Sequence, residues 1–383
     1  MNTNAQNYNP WLHRFILATA AATFLLLGSG GMVTSHEAGM SVPDWPNTYG
    51  YNMFLFPISK WVGGIFYEHT HRLLASGIGL LTAVLAVWLW RKDARPWMRW
   101  LGVLAFVLVA LQGVLGGLRV TLDMDKLGIV HGALAQLFFV LTCALALFTG
   151  RWWQNSGRDA LPRAPNFPNE AAPQRGSTDT NLRWLVLFTT LLILGQLILG
   201  ATMRHQHAGL AIPDFPAAYG KIWPDTSTAA VALYNEHRMS VMAESPITAF
   251  QIMLQMVHRM VALAIFVMVA VCAWRAHRWS SRLSVSESSL KVELQLARHL
   301  SLFWLVLIVG QIALGAATIW SNKAADVATA HVLIGALALV TGALWCAVAF
   351  RESVAAAYDR RTKDRRAQTA APIGVHPSMV GNK

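Results

Sequence analysis

The sequence predicts an all-α polytopic membrane protein, with eight transmembrane helices as two four-helix bundles in parallel pseudo-two-fold repeat. Three observations predict it. First, 55% of the 383 residues are hydrophobic and only 13% are charged, roughly half the charged fraction of an ordinary soluble chain. The apolar residues gather into runs of about 20, the length that crosses a bilayer as a helix. Second, the basic residues cluster in alternate connections, which is the positive-inside pattern. Third, Glu37-Ala-Gly-Met-Ser-Val-Pro-Asp-Trp-Pro-Asn-Thr-Tyr-Gly50 returns 170 residues later as His207-Ala-Gly-Leu-Ala-Ile-Pro-Asp-Phe-Pro-Ala-Ala-Tyr-Gly220. A repeated unit of four helices inserts twice with the same orientation, so its copies should be related by an axis along the membrane normal.

The eight runs span about 14–34, 63–90, 100–118, 128–150, 183–203, 249–274, 300–320 and 328–350. The first is too long and too rich in glycine to read as a cleaved signal, so it counts as a helix. Residues 1–150 form the first half. Residues 151–182 are rich in Pro, Asn, Gly, Ser and Arg and read as a linker. Residues 183–352 form the second half, and 353–383 a polar tail, expected to be irregular beyond Tyr358. Arg91, Lys92, Arg95 and Arg99 lie on the linker's side of the membrane, as do Arg275, Arg278, Arg282, Lys291 and Arg298. Both termini are therefore expected in the cytoplasm. The net charge of +12 reads as topology and contact with anionic lipid, not as nucleic-acid binding. Cys143, Cys272 and Cys346 fall inside apolar runs and read as packing residues.

Ionisable groups in membrane helices are costly and usually functional. His71, His131, His258 and His331 each open an apolar run, two in each half, all at the outer face. One depth and an even number suit pairing: His71 with His131, His258 with His331. Zinc usually takes three or four protein ligands, whereas two imidazoles facing each other suit the axial positions of heme iron. Arg72 and Arg259 follow the first histidine of each pair and could fork onto heme propionates. The competing reading is interfacial histidines with snorkelling arginines. His69 is matched by Met256, so it is read as a wall residue. Glu68, on the helical face of His71, is matched by Gln255. It is either a proton acceptor or charge stabiliser, or the partner of Arg72 in an i, i+4 ion pair.

The two Pro-Asp-aromatic-Pro loops read either as lids over the sites or as purely structural turns. Gln112-Gly-Val-Leu-Gly116, Gln196-Leu-Ile-Leu-Gly200 and Gln311-Ile-Ala-Leu-Gly315 read as helix-packing motifs. Glycine-rich faces permit a homo-oligomer without specifying one.

Taken together, the twin loops, Glu68-x-x-His71-Arg72, His131, His258-Arg259 and His331 resemble the heme A synthase family over nearly the whole chain. The resemblance implies oxidation of the C8 methyl of heme O to the formyl of heme A, for cytochrome c oxidase assembly. It implies a heme b cofactor on His258 and His331, heme O as substrate near His71 and His131, and a catalytic part for Glu68. Heme O synthase and oxidase assembly factors are the partners it implies. Some members carry a cysteine pair in an outward loop of the first half; this chain does not, which places it with the cysteine-free branch. The alternative is a di-heme b, quinol-linked electron-transfer protein using the same four histidines. A transporter built on parallel repeats would instead place polar groups at the midplane.

Overall fold

The computed structural model describes residues 8–124, 126–156, 180–242, 246–282 and 288–369. Ten helices occupy these residues: α1 Pro10–Ser35, α2 Gly63–Lys92, α3 Pro96–Thr121, α4 Leu127–Thr149, α5 Arg151–Ser156, α6 Thr180–His205, α7 Thr228–Met242, α8 Ala249–Arg282, α9 Ser288–Trp320 and α10 Ala325–Thr369. All except α5 and α7 are long and apolar enough to cross a membrane, which gives eight candidate spans among the described residues. The predicted runs fall on these eight, and the chain is a multi-pass membrane protein.

Local chemistry sets the helix ends. Asn9 caps α1, its Oδ1 accepting from the Trp11 and Leu12 amides at 3.1 Å each, with Pro10 at the first helical position. The last turn of α2 carries Arg91 and Lys92 against the negative end of the helix dipole. Asp93 then holds Arg95 at 2.7 Å, and Arg95 also donates to the Phe148 carbonyl at 2.9 Å, tying the α2–α3 turn to the end of α4.

Helices α1 to α4 close a ring in which each touches the next and α4 returns to α1. Helices α6, α8, α9 and α10 close a second ring in the same way, and α10 meets α1 and α4 while α6 meets α4. Each ring has its own core. Ile16, Leu85, Leu89, Met98 and Leu145 fill the first; Val186, Val269, Cys272, Trp304 and Trp345 fill the second. Outward residues such as Leu25, Leu80 and Val306 are large, apolar and exposed, as a lipid-facing surface requires. The seam between the rings is partly polar. Arg204 donates to the Gly31 carbonyl at 2.9 Å and to Ser35 Oγ, and Ser35 Oγ lies 3.1 Å from Thr329 Oγ1.

Three segments differ from expectation. The long loop at 221–250 contains α7, because Ala229-Ala-Val-Ala-Leu233 favours helix and Ser227 caps it, accepting from the Ala230 amide at 3.3 Å. Asn235 on α7 then clasps both the amide and the carbonyl of Ile247. The last helix continues to Thr369, beyond the Tyr358 limit, through a stretch rich in Ala and Arg. The linker opens with α5, and α6 starts within its last residues; 157–179 lie outside the described residues, as do 370–383 of the tail.

Candidate functional site

The four histidines sit on α2, α4, α8 and α10, toward the N-terminal end of each. His258 and His331 face each other across the second ring, with ring centroids 6.5 Å apart. The Nδ1 atoms of all four are buried without a hydrogen-bond partner, an unusual state for a buried polar atom.

Each histidine leans on a glycine of the preceding membrane-spanning helix. A Cβ placed on Gly30, Gly116, Gly200 or Gly315 would stand 3.0, 3.5, 3.4 or 3.2 Å from the Cε1 of His71, His131, His258 or His331 respectively. Three of these glycines close the Gln-x-x-Leu-Gly motifs, and the glutamines reach the same histidines. Gln112 Nε2 donates to the His131 carbonyl at 3.2 Å, and Gln196 Nε2 to the His258 carbonyl at 2.8 Å. Gln311 Nε2 stands 3.4 Å from His331 Nε2. The motifs, read from sequence as close helix packing with a glutamine able to hydrogen-bond across the interface, make that bond at the His131 and His258 backbones and approach the His331 ring.

The twin loops roof the rings and are fixed from within. Asp44 accepts from the amides of Tyr49 and Gly50 at 2.7 and 2.8 Å, and Asp214 from those of Tyr219 and Gly220 at 2.8 Å each. The turns need left-handed backbone, supplied by Gly50 and Gly220 at φ 77° and 72°. Tyr49 donates back to the Ser41 carbonyl at 2.6 Å, and Tyr219 to that of Ala211. Burial pushes the Tyr219 phenol up to about 12, so this donor keeps its proton. The Trp45 ring lies so close to α3 that a Cβ on Gly117 would collide with it, one residue from the glycine beneath His131. Phe215 meets Trp320 on α9, with ring centroids 6.2 Å apart.

The arginines predicted for propionates hold these loops. Arg72 donates to the carbonyls of Asp44, Asn47 and Val42 at 2.7, 3.2 and 2.8 Å, and to Glu68 Oε1 at 2.7 Å. Arg259 donates to those of Ala217 and Asp214 at 2.8 and 2.7 Å, while its Nε is buried without a partner. Glu68 is 4% exposed and makes the i, i+4 ion pair with Arg72. Its other oxygen accepts from the Val42 amide at 2.8 Å. Gln255 does the same work with its amide: Oε1 accepts from the Ile212 amide at 2.6 Å, and Nε2 donates to the Gly209 and Ile212 carbonyls. His69 is fully buried, with its Nδ1 3.1 Å from Thr48 Oγ1, and it walls the first loop between Phe56 and Trp61.

A shared metal atom would place two imidazole centres about 6 Å apart, given metal–nitrogen bonds of about 2 Å, and His258 and His331 fit that spacing. Among the described residues, no three His, Cys, Asp or Glu side chains gather as an ion site, so the donor set suits a planar metal complex that brings its own equatorial ligands.

Fold and site thus define a helical membrane protein with half-buried histidines beneath anchored loops, one pair of which, His258 and His331, face each other. The chain belongs to the cytochrome oxidase assembly protein family (COX15-CtaA), whose profile matches residues 57–343. It is similar to the heme A synthase of Rhizorhabdus wittichii, 26% identical over 87% of this chain and 92% of the relative. It is also similar to that of Novosphingobium aromaticivorans, 26% identical over 88% and 94%, and to that of Shouchella clausii, 27% identical over 59% and 70%.

Proposed function

We propose that this chain is a heme A synthase that converts the C8 methyl of heme O to a formyl group. Two hydroxylations would carry the methyl carbon through the alcohol to a geminal diol, which loses water to leave the aldehyde. The oxidant comes from outside the chain. The family and the named relatives support this reading, and the observation that carries it is the facing of His258 and His331 at 6.5 Å.

In this proposal residues 183–352 hold heme b on His258 and His331, which supplies redox chemistry when bound. Residues 1–150 take heme O as substrate between His71 and His131. The two halves stand in parallel pseudo-two-fold repeat, supported by paired contacts such as Glu68 with Val42 and Gln255 with Ile212. Arg259 offers its buried, unpartnered Nε to a propionate; Arg72 serves its site by holding the loop above it. Glu68 acts through Arg72 as a positioning residue, setting the charge beside the substrate. Both termini lie in the cytoplasm of a bacterial inner membrane, with the sites toward the periplasm, and heme O synthase is the expected supplier of substrate.

Heme extraction from the purified protein, expressed in cells that make heme O, tests the reading. It should yield heme b together with heme O or heme A. Heme b alone would favour a di-heme electron-transfer protein.

A further inference from the structure

The first loop has an apolar outer face between its turn and the start of α2. Residues 51–62 pass through two short 3-10 turns, Met53–Leu55 and Ile58–Lys60. Two side chains turn inward. Phe56 is buried and meets the His69 ring with centroids 5.0 Å apart, and Trp61 meets the same ring edge-on at 4.7 Å. Four turn the other way: Phe54, Leu55, Ile58 and Val62 are 68%, 76%, 80% and 63% exposed. Left in water, they would form a patch of the kind that soluble surfaces rarely carry uncovered. Their surroundings suit lipid. Lys60 Nζ donates to the Tyr51 hydroxyl at 2.9 Å and lies over that ring, and no acidic residue occurs from Trp45 to Tyr67. Tyr, Trp and Lys beside apolar side chains are the residues of a membrane–water boundary. The matching stretch of the second half carries Asp225 and Glu236 instead.

Depth decides what covers the patch. Helix α2 has 30 residues, about 45 Å at the usual rise per residue. A bilayer is about 30 Å thick in its hydrocarbon core and about 40–45 Å with its headgroups, so the ends of α2 lie among headgroups. His69 is six residues past Gly63, about 9 Å in from the helix end. Because Phe56 and Trp61 pack on His69, the loop descends beside the first turns of α2 and does not stand above them. The patch is therefore level with the headgroups. It runs through Val62 straight into the exposed Phe66, Leu74 and Leu80 of α2, which belong to the lipid-facing surface. We infer that Phe54, Leu55, Ile58 and Val62 form a membrane anchor, inserted among the headgroups and upper acyl chains of the leaflet on the twin-loop side. The bilayer thus holds the roof of the first site from outside, as Arg72 holds it from within. This rests on the membrane-spanning helices and is independent of what the histidines bind.

The test attaches a thiol-reactive NBD fluorophore to full-length Leu55→Cys and Ile58→Cys proteins in nanodiscs of phosphatidylcholine and phosphatidylglycerol. The unsubstituted chain, whose Cys143, Cys272 and Cys346 lie inside helices, gives the labelling background. Quenching is read with iodide in the water and with nitroxide lipids labelled either high on the acyl chain or near its end. Leu80→Cys, exposed on α2, serves as the deep reference, and Glu236→Cys, exposed on α7, as the aqueous one. The labels at Leu55 and Ile58 should lose most of the iodide quenching seen at Glu236. The high nitroxide should quench them more than the deep one, the reverse of Leu80. If one variant fails to fold, the other carries the test, since both positions are exposed. Iodide quenching equal to that at Glu236, with no effect of either lipid, overturns the inference. Protection from iodide in native membrane vesicles but not in nanodiscs would assign the face to a protein partner and overturn it as well.

Discussion

Glu68→Gln separates the two things that Glu68 does, because the second ring shows what a glutamine achieves at the same place. Gln255 accepts the Ile212 amide through Oε1 at 2.6 Å, as Glu68 accepts the Val42 amide at 2.8 Å. The variant should keep that loop anchor and lose only the negative charge beside Arg72. Arg72 would retain its carbonyl acceptors on Asp44, Asn47 and Val42. The loss is then one buried, charge-assisted bond, about 2 kcal/mol, less than the roughly 3–5 kcal/mol of a buried charge left with nothing. Glu68→Ala also orphans the Val42 amide and should cost about 1–3 kcal/mol more. Measured by unfolding in detergent and by heme A formation in membranes, Glu68→Gln should stay folded with heme b intact, while heme A formation falls at least about ten-fold. Glu68→Ala should lose stability as well. Normal heme A formation by Glu68→Gln with normal heme loading would refute the reasoning, because the charge would then have no part in the reaction.

Other consequences are read more quickly. Gly200→Leu should drive His258 off its seat and remove heme b, whereas Gly30→Leu should spare heme b and stop heme A formation; optical spectra of the purified variants report both. Gly117→Ala should push Trp45 out of its place against α3, seen as a change in tryptophan fluorescence that disappears when Trp45 is replaced by phenylalanine. The raised Tyr219 phenol stabilises the second loop while it is protonated. That contribution should be complete below about pH 10 and lost as pH rises through about 12. The difference between wild-type and Tyr219→Phe tyrosinate absorbance should therefore appear only near that upper value, and a midpoint near 10 would contradict the burial.

The eight spans were legible because runs of about 20 apolar residues leave the backbone only one way to satisfy itself in lipid. The sequence singled out four histidines because the repeat matched them while leaving His69 opposite Met256, and the structure buries the Nδ1 of each. What could not be read was contact across helices. Nothing in the motif Gln196-Leu-Ile-Leu-Gly200 says that its amide meets the carbonyl of His258, 62 residues on. The Arg72 guanidinium, expected at a propionate, reaches back to Val42 and Asp44, which depends on how the loop folds over α2. For Glu68 the sequence left ion pair and proton acceptor open; the structure contains the ion pair and adds the Val42 amide as a second partner. Helix α7 escaped notice because a short run of alanines in a loop has no apolar period to announce it.

The division of labour between the two rings is tested most directly by heme extraction from His71→Ala, His131→Ala, His258→Ala and His331→Ala proteins. His258→Ala and His331→Ala should lose heme b, while His71→Ala and His131→Ala should keep it and fail to accumulate heme A. Loss of heme b from the His71 or His131 variants, with His258 and His331 variants still loaded, would contradict the account.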